Sequence, residues 1–130
     1  MDRLPSSHRP LYEVKANLFK GLAHPLRIRT LEILSQSGSE VSVTELLDEL
    51  GLEASHLSQH LAVLRKHRLV TADRRGSQVF YRLAYPQVAD LLTVARALLL
   101  EILRESQAQL ASTDSLPGLG SYPADAATGR

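Results

Sequence analysis

Ser55, His56, Ser58, Gln59 and His60 fall within six consecutive positions, and each can give or accept a hydrogen bond. A Gln can pair with adenine through two bonds, and a Ser can bond to several base edges. A little further on, Arg74, Arg75, Gly76, Ser77 and Gln78 put two guanidiniums at a turn, with Tyr81 beyond them. Such a tip can clamp a phosphate or enter a minor groove, with Gln78 and Tyr81 adding phosphate bonds from the outer face. The plainer alternatives are a solvated helix face for the first group and edge-protecting surface charge for the second. Charge favours the nucleic-acid reading. From Ala54 to Arg82 the basic residues Arg65, Lys66, Arg68, Arg74, Arg75 and Arg82 meet one acid, Asp73. Glu40 to Glu53 holds Glu40, Glu45, Asp48, Glu49 and Glu53 with no Lys or Arg, so a whole-chain net charge of +1 hides the contrast. Arg65, Lys66 and Arg68 lie toward the end of the polar stretch and carry less weight for contact.

Other chemistries find less support. Cysteine is absent, which removes disulfides, thiolate catalysis and thiolate metal sites together. His56 and His60 stand four apart, as a helical metal pair would, but Leu57 replaces the Glu of the zinc-protease pattern and no third ligand is evident. Ser, His and Asp are present without a nucleophile elbow or a Gly-rich phosphate loop. No enzyme, cofactor or metal site is expected.

These side chains need a scaffold, and 130 residues with 44% hydrophobic and 22% charged content suit one soluble domain. No apolar run approaches the roughly 20 residues of a membrane span, and Met1 to Pro10 lacks the apolar core of a signal peptide. The expected location is the cytoplasm. Leu11, Val14, Leu18, Phe19 and Leu22 recur at a helical period, stopped by Gly21 and Ala23-His24-Pro25. Pro25 opens a second helix that runs to Ser35 and closes at Ser37-Gly38-Ser39. A third begins near Ser42, capped by Ser42 or Thr44, and stops at Gly51. After Gly51-Leu52-Glu53 a fourth spans Ala54 to His67, and this tight join is what a helix-turn-helix requires. Leu69 to Ala72 and Val79 to Leu83 read as two strands about a Gly76-Ser77 turn. Pro86 opens a last helix ending near Leu110, with Val88, Leu91, Leu92, Ala95, Leu98, Leu99, Ile102 and Leu103 in a broad stripe.

The resulting order is mainly α with a small β-hairpin: α-α-α-α-β-β-α, a winged helix-turn-helix with two additional helices. Residues 1–10 are expected to form a flexible arm, 11–111 the domain and 112–130 a disordered tail. The apolar stripe of the last helix is wider than one small domain needs. Leaving Leu98, Leu99, Ile102 and Leu103 wet would cost about 1.5–3 kcal/mol each. A second copy can cover them, together with Leu91 and Ala95 and with Leu11, Leu18 and Phe19 of the first helix.

The strings FKGLAHPLRIRTLEIL, VTELLDELGLEASHLSQHLAVLRKHRLV and RRGSQVFYRL resemble, in register, the second helix, helix-turn-helix and wing of the arsenical-resistance (ArsR/SmtB) repressors. The resemblance covers about Leu11 to Leu110. It implies a homodimer built on the first and last helices, bound to an inverted-repeat operator in double-stranded DNA and released by a signal. It also implies what is missing. Many members sense metal through a Cys-Val-Cys-like motif, where this chain has Ser42 and Thr44. Others use Asp and His pairs on the last helix; here Asp90 is present, Leu92 takes the next position, and Pro86 to Leu110 has no His. The effector stays open between a metal held by scattered ligands such as His8 and His24, a small molecule between the first and last helices, and no ligand at all. A helical protein-interaction module without DNA affinity is the alternative reading.

Overall fold

The computed structural model describes residues 9–114. Most of the expected arm, His8 with it, and residues 115–130 of the expected tail lie outside the described residues. Eight elements follow in order: α1 (Leu11–Leu22), α2 (Pro25–Ser37), β1 (Val41–Ser42), α3 (Val43–Leu50), α4 (Ala54–Lys66), β2 (Val70–Arg75), β3 (Gln78–Leu83) and α5 (Pro86–Asp114). The chain up to Leu92 forms one compact unit, and the stretch from Thr93 forms a second.

Local signals set most of the boundaries. His24 caps α2 by accepting the Leu26 N–H at Nδ1, 3.0 Å away, with Pro25 at the first helical position. Ser42, not Thr44, caps α3. Its hydroxyl accepts from the Glu45 N–H at 3.1 Å while the Glu45 carboxylate accepts from the Ser42 N–H at 3.3 Å, a reciprocal capping box. Gly51, at φ 64°, ends α3 and turns the chain toward α4 within three residues.

The end of α4 is unusual. The Leu69 N–H reaches the Leu64 carbonyl at 2.9 Å and the Arg68 N–H reaches the Arg65 carbonyl at 2.9 Å. This is a Schellman motif, whose left-handed residue is ordinarily Gly. Here it is Arg68, at φ 61° and alone among the described non-glycine residues in having positive φ. That conformation costs an L-residue roughly 1–2 kcal/mol.

The core of the first unit gathers Leu31 and Leu34 of α2, Leu46 of α3, Leu57, Leu61 and Leu64 of α4, Val70, Tyr81 and Val88. Leu18 and Leu91 pack against it and are half-buried. Gly21 is buried where α1 meets the end of α4, and a Cβ there would lie 2.6 Å from the His67 ring.

The sheet and the last helix differ from expectation. The expected two-stranded ribbon is a three-stranded antiparallel sheet in the order β1-β3-β2. Val41 pairs with Tyr81 and Ser42 with Phe80, while β2 and β3 pair from Val70–Leu83 to Arg75–Gln78. A two-residue strand shows no alternation to read. The last helix also continues past Leu110 to Asp114.

Candidate nucleic-acid interface

Helix α4 has two clearly different sides. Leu57, Leu61 and Leu64 point into the core, which turns Ser55, His56, Ser58 and Gln59 outward, all four exposed. With 13 residues at about 1.5 Å rise, the helix is roughly 20 Å long, enough to lie along a major groove. Its first turn carries neither an acid nor a side-chain cap.

His60 departs from the expected contact set. It is half-buried, its ring centroid is 4.3 Å from that of His24, and Arg27 NH1 approaches its Nδ1 at 3.5 Å. Arginine can only donate, so Nδ1 of His60 is the acceptor in this contact. Burial, then the neighbouring His24, Arg27 and His56, lower its pKa from the ordinary 6.5. Arg27 also donates from Nε to the Gly21 carbonyl at 2.8 Å and from NH2 to the Lys20 carbonyl at 3.2 Å. His60 thus belongs to a polar clasp joining α4 to α1 and α2, because it sits one turn from Leu57 and Leu64 on the inward flank. Arg27 is a positioning residue absent from the sequence-based expectation; its only local signal is a basic residue three positions into α2.

The wing tip divides similarly. Gly76 (φ 63°) and Ser77 make a two-residue turn, with Gly at the first central position, and Ser77 and Gln78 are exposed. Arg74 is exposed and forms no ion pair with any described residue. Arg75 is held: it pairs with Glu40, lies 3.5 Å from Asp73 and stacks 4.0 Å over the Phe80 ring. Tyr81 is not on the outer face at all. Only 6% exposed, it packs in the core, with Arg65 NH1 3.5 Å from its hydroxyl. Strand alternation explains this, since Tyr81 shares the inward side with Val79 and Leu83 and leaves Arg82 exposed between them.

The arrangement offers outward hydrogen-bonding side chains on α4 and an exposed guanidinium at the wing tip. Among the described residues, no three His, Asp or Glu side chains gather as a metal site. The sequence pattern described as "Bacterial regulatory protein, arsR family" matches residues 24–72, from the His24 cap into the start of β2. The uncharacterized HTH-type transcriptional regulator Rv0081 of Mycobacterium tuberculosis is 49% identical over 102 residues, 78% of this chain and 88% of that protein. The biofilm growth-associated repressor of Agrobacterium fabrum is 40% identical over 95 residues, 73% and 79% of the two chains. The crystal structure of Rv0081 superposes with a TM-score of 0.69 at 48% identity, covering 75% of this chain and 97% of that one. The solution structure of Mb0332 from Mycobacterium bovis, described as a homodimeric winged helix-turn-helix DNA-binding domain, gives 0.67 at 28% identity, covering 81% and 95%. With a helix-turn-helix and wing in this order, and relatives aligned over most of their length, the chain belongs to the arsR family of bacterial transcriptional regulators.

Proposed function

We propose that the chain works as a homodimeric repressor that binds an inverted-repeat site in double-stranded DNA. The observation that carries this reading is the outward row Ser55, His56, Ser58 and Gln59 beside a turn whose Arg74 pairs with no described acid. The row offers base-edge contacts and the turn offers phosphate contacts, which are the two separate needs of specific recognition. Gly76, Ser77 and Gln78 complete the tip, with Arg75 setting its shape. His60 and Tyr81 support this surface from within.

A second copy is called for by the second unit. Leu98 is 61% exposed, Leu99 53%, Ile102 50% and Leu103 49%, and Ala95 is exposed too. Leu11 and Phe19 are exposed on α1 as well. Covering these residues would favour association by about 1.5–3 kcal/mol for each large side chain buried. Leu18 and Leu91, half-buried in their own protomer, contribute less than expected. Two-fold symmetry then sets two copies of α4 about one helical turn apart, roughly 34 Å, on a palindromic site. Chromosomal DNA as ligand puts this work in the cytoplasm. No described helix is long and apolar enough to cross a membrane. An effector, whether a small molecule or a metal, would act by shifting the dimer between geometries of unequal fit to DNA.

Selection of bound fragments from genomic DNA by the purified full chain tests this reading. A symmetric motif is expected, with half-sites one turn apart. Enrichment of no motif, from protein that is dimeric, would favour the interaction-module alternative.

A further inference from the structure

Where α1 meets the end of α4 a cleft of about 340 Å³ opens, lying on neither the recognition face of α4 nor the wing. Val14 and Leu18 line it on the α1 side, and both are half-buried. Lys15, Lys66, His67 and Arg68 also line it, and no carboxylate does. Lys15, Lys66 and Arg68 are exposed, and none forms an ion pair with any described residue. With no carboxylate to offset them, these groups give the hollow a positive potential that favours an anion.

The backbone adds an independent observation. Helix C-terminal carbonyls ordinarily repel an anion. Here the carbonyls of Val63, Leu64 and Arg65 are taken by the N–H groups of His67, Leu69 and Arg68. The residue completing that motif is Arg68, in the conformation that favours glycine. Gly would hold this backbone at lower cost, so the chain keeps a guanidinium at the cleft's edge against the local backbone preference.

We propose that this cleft is an anion-binding site whose cationic rim takes a carboxylate or phosphate group and whose Val14–Leu18 side takes a short apolar body. Its volume lies at the small end of ligand pockets, and one guanidinium with two ammonium groups suits a single oxyanion. A small organic acid and a backbone phosphate of bound DNA share this chemistry, and the two sources behave differently.

The test uses the full-length protein labelled with nitrogen-15, titrated separately with hexanoate and with inorganic phosphate. Hexanoate is expected to shift the amide signals of residues 14–18 and 66–69, and Arg68→Gly to weaken that binding about tenfold, the size of one charge-assisted hydrogen bond. Arg68→Gly should melt at the same temperature as the parent or higher, so weaker binding cannot be a failure to fold. Lys15→Gln, on the other helix, should weaken hexanoate in the same direction. A second arm measures the affinity of the parent and Arg68→Gly for a long duplex of arbitrary sequence at several salt concentrations. A shallower salt dependence for Arg68→Gly, with no response to hexanoate, assigns the anion to DNA. No localised shift with either probe, together with an unchanged salt dependence, overturns the site. The hexanoate arm needs no DNA binding, so its result stands apart from the fate of the repressor reading.

Discussion

Gln59 and Arg74 are both exposed and polar, but truncating them should damage binding in different ways. In the proposed complex Gln59, on the outward row of α4, reads a base edge, so Gln59→Ala should relax selection at one base position per half-site. The expected loss of discrimination is about 1–3 kcal/mol. Arg74, exposed at the wing tip, is proposed to meet a phosphate; Arg74→Ala should weaken all sequences alike and lower the salt slope by about one for each phosphate no longer neutralised. Arg75→Ala differs again, because its guanidinium already serves Glu40 and Phe80. Titrations of selected and scrambled duplexes at two salt concentrations separate these outcomes. A sequence-dependent loss for Arg74→Ala would remove the wing from its proposed role. His60 gives a pH dependence of a defined sign. Its folded pKa lies below the ordinary 6.5, through burial first and then His24, Arg27 and His56. The unfolded chain therefore takes up the proton more readily. This contribution to stability is complete above pH 6.5, declines as the pH falls below it toward the folded pKa, and then levels off. Denaturation midpoints should fall on mild acidification, and His60→Gln should flatten that profile; an identical slope in the variant would assign the effect elsewhere.

At the scale of elements, the contact between α1 and the end of α4 depends on the absence of one side chain. A methyl group at Gly21 would meet the His67 ring at 2.6 Å. Overpacking of this kind costs about 1–3 kcal/mol, against a gain of up to about 1 kcal/mol in helix propensity. Gly21→Ala should therefore lower the melting temperature, and adding His67→Ala should restore most of it. An unchanged melting temperature would mean the ring moves aside freely. In the sequence Gly21 reads only as a helix stop, since a close approach between elements 46 positions apart leaves no local pattern. Helix starts are more legible, because Pro25, Ser42 and Pro86 act within one turn of themselves. The outward row on α4 is legible for the same reason: Leu57, Leu61 and Leu64 fix which side faces in. His60 and Tyr81 depart from expectation because hydrogen-bonding types occur both at contacts and in partnered cores. Only the neighbours His24, Arg27 and Arg65, distant in sequence, decide between the two.

For the whole molecule, the exposed leucines from Leu98 onward carry the largest consequence. Leu99→Arg with Leu103→Arg places two charges on the face proposed to meet its twin, and sedimentation should then report single subunits. Half-site DNA should still bind weakly, since Ser55 to Gln59 and Arg74 belong to the other unit, while tight binding to the full palindrome disappears. Dimers that persist in this variant would move the association surface elsewhere.

Ser42 lies in two structures at once, closing the first turn of α3 and pairing with Phe80 across the sheet. Glu40, two residues earlier, grips Arg75 near the hairpin's far end. Helix α3 and the wing are therefore braced to a common strut, β1 and the residues leading into it. In the proposed dimer a controlling signal would then act between the copies and leave this brace untouched. Its effect would be to change the span between two intact reading heads, leaving the shape of either one alone.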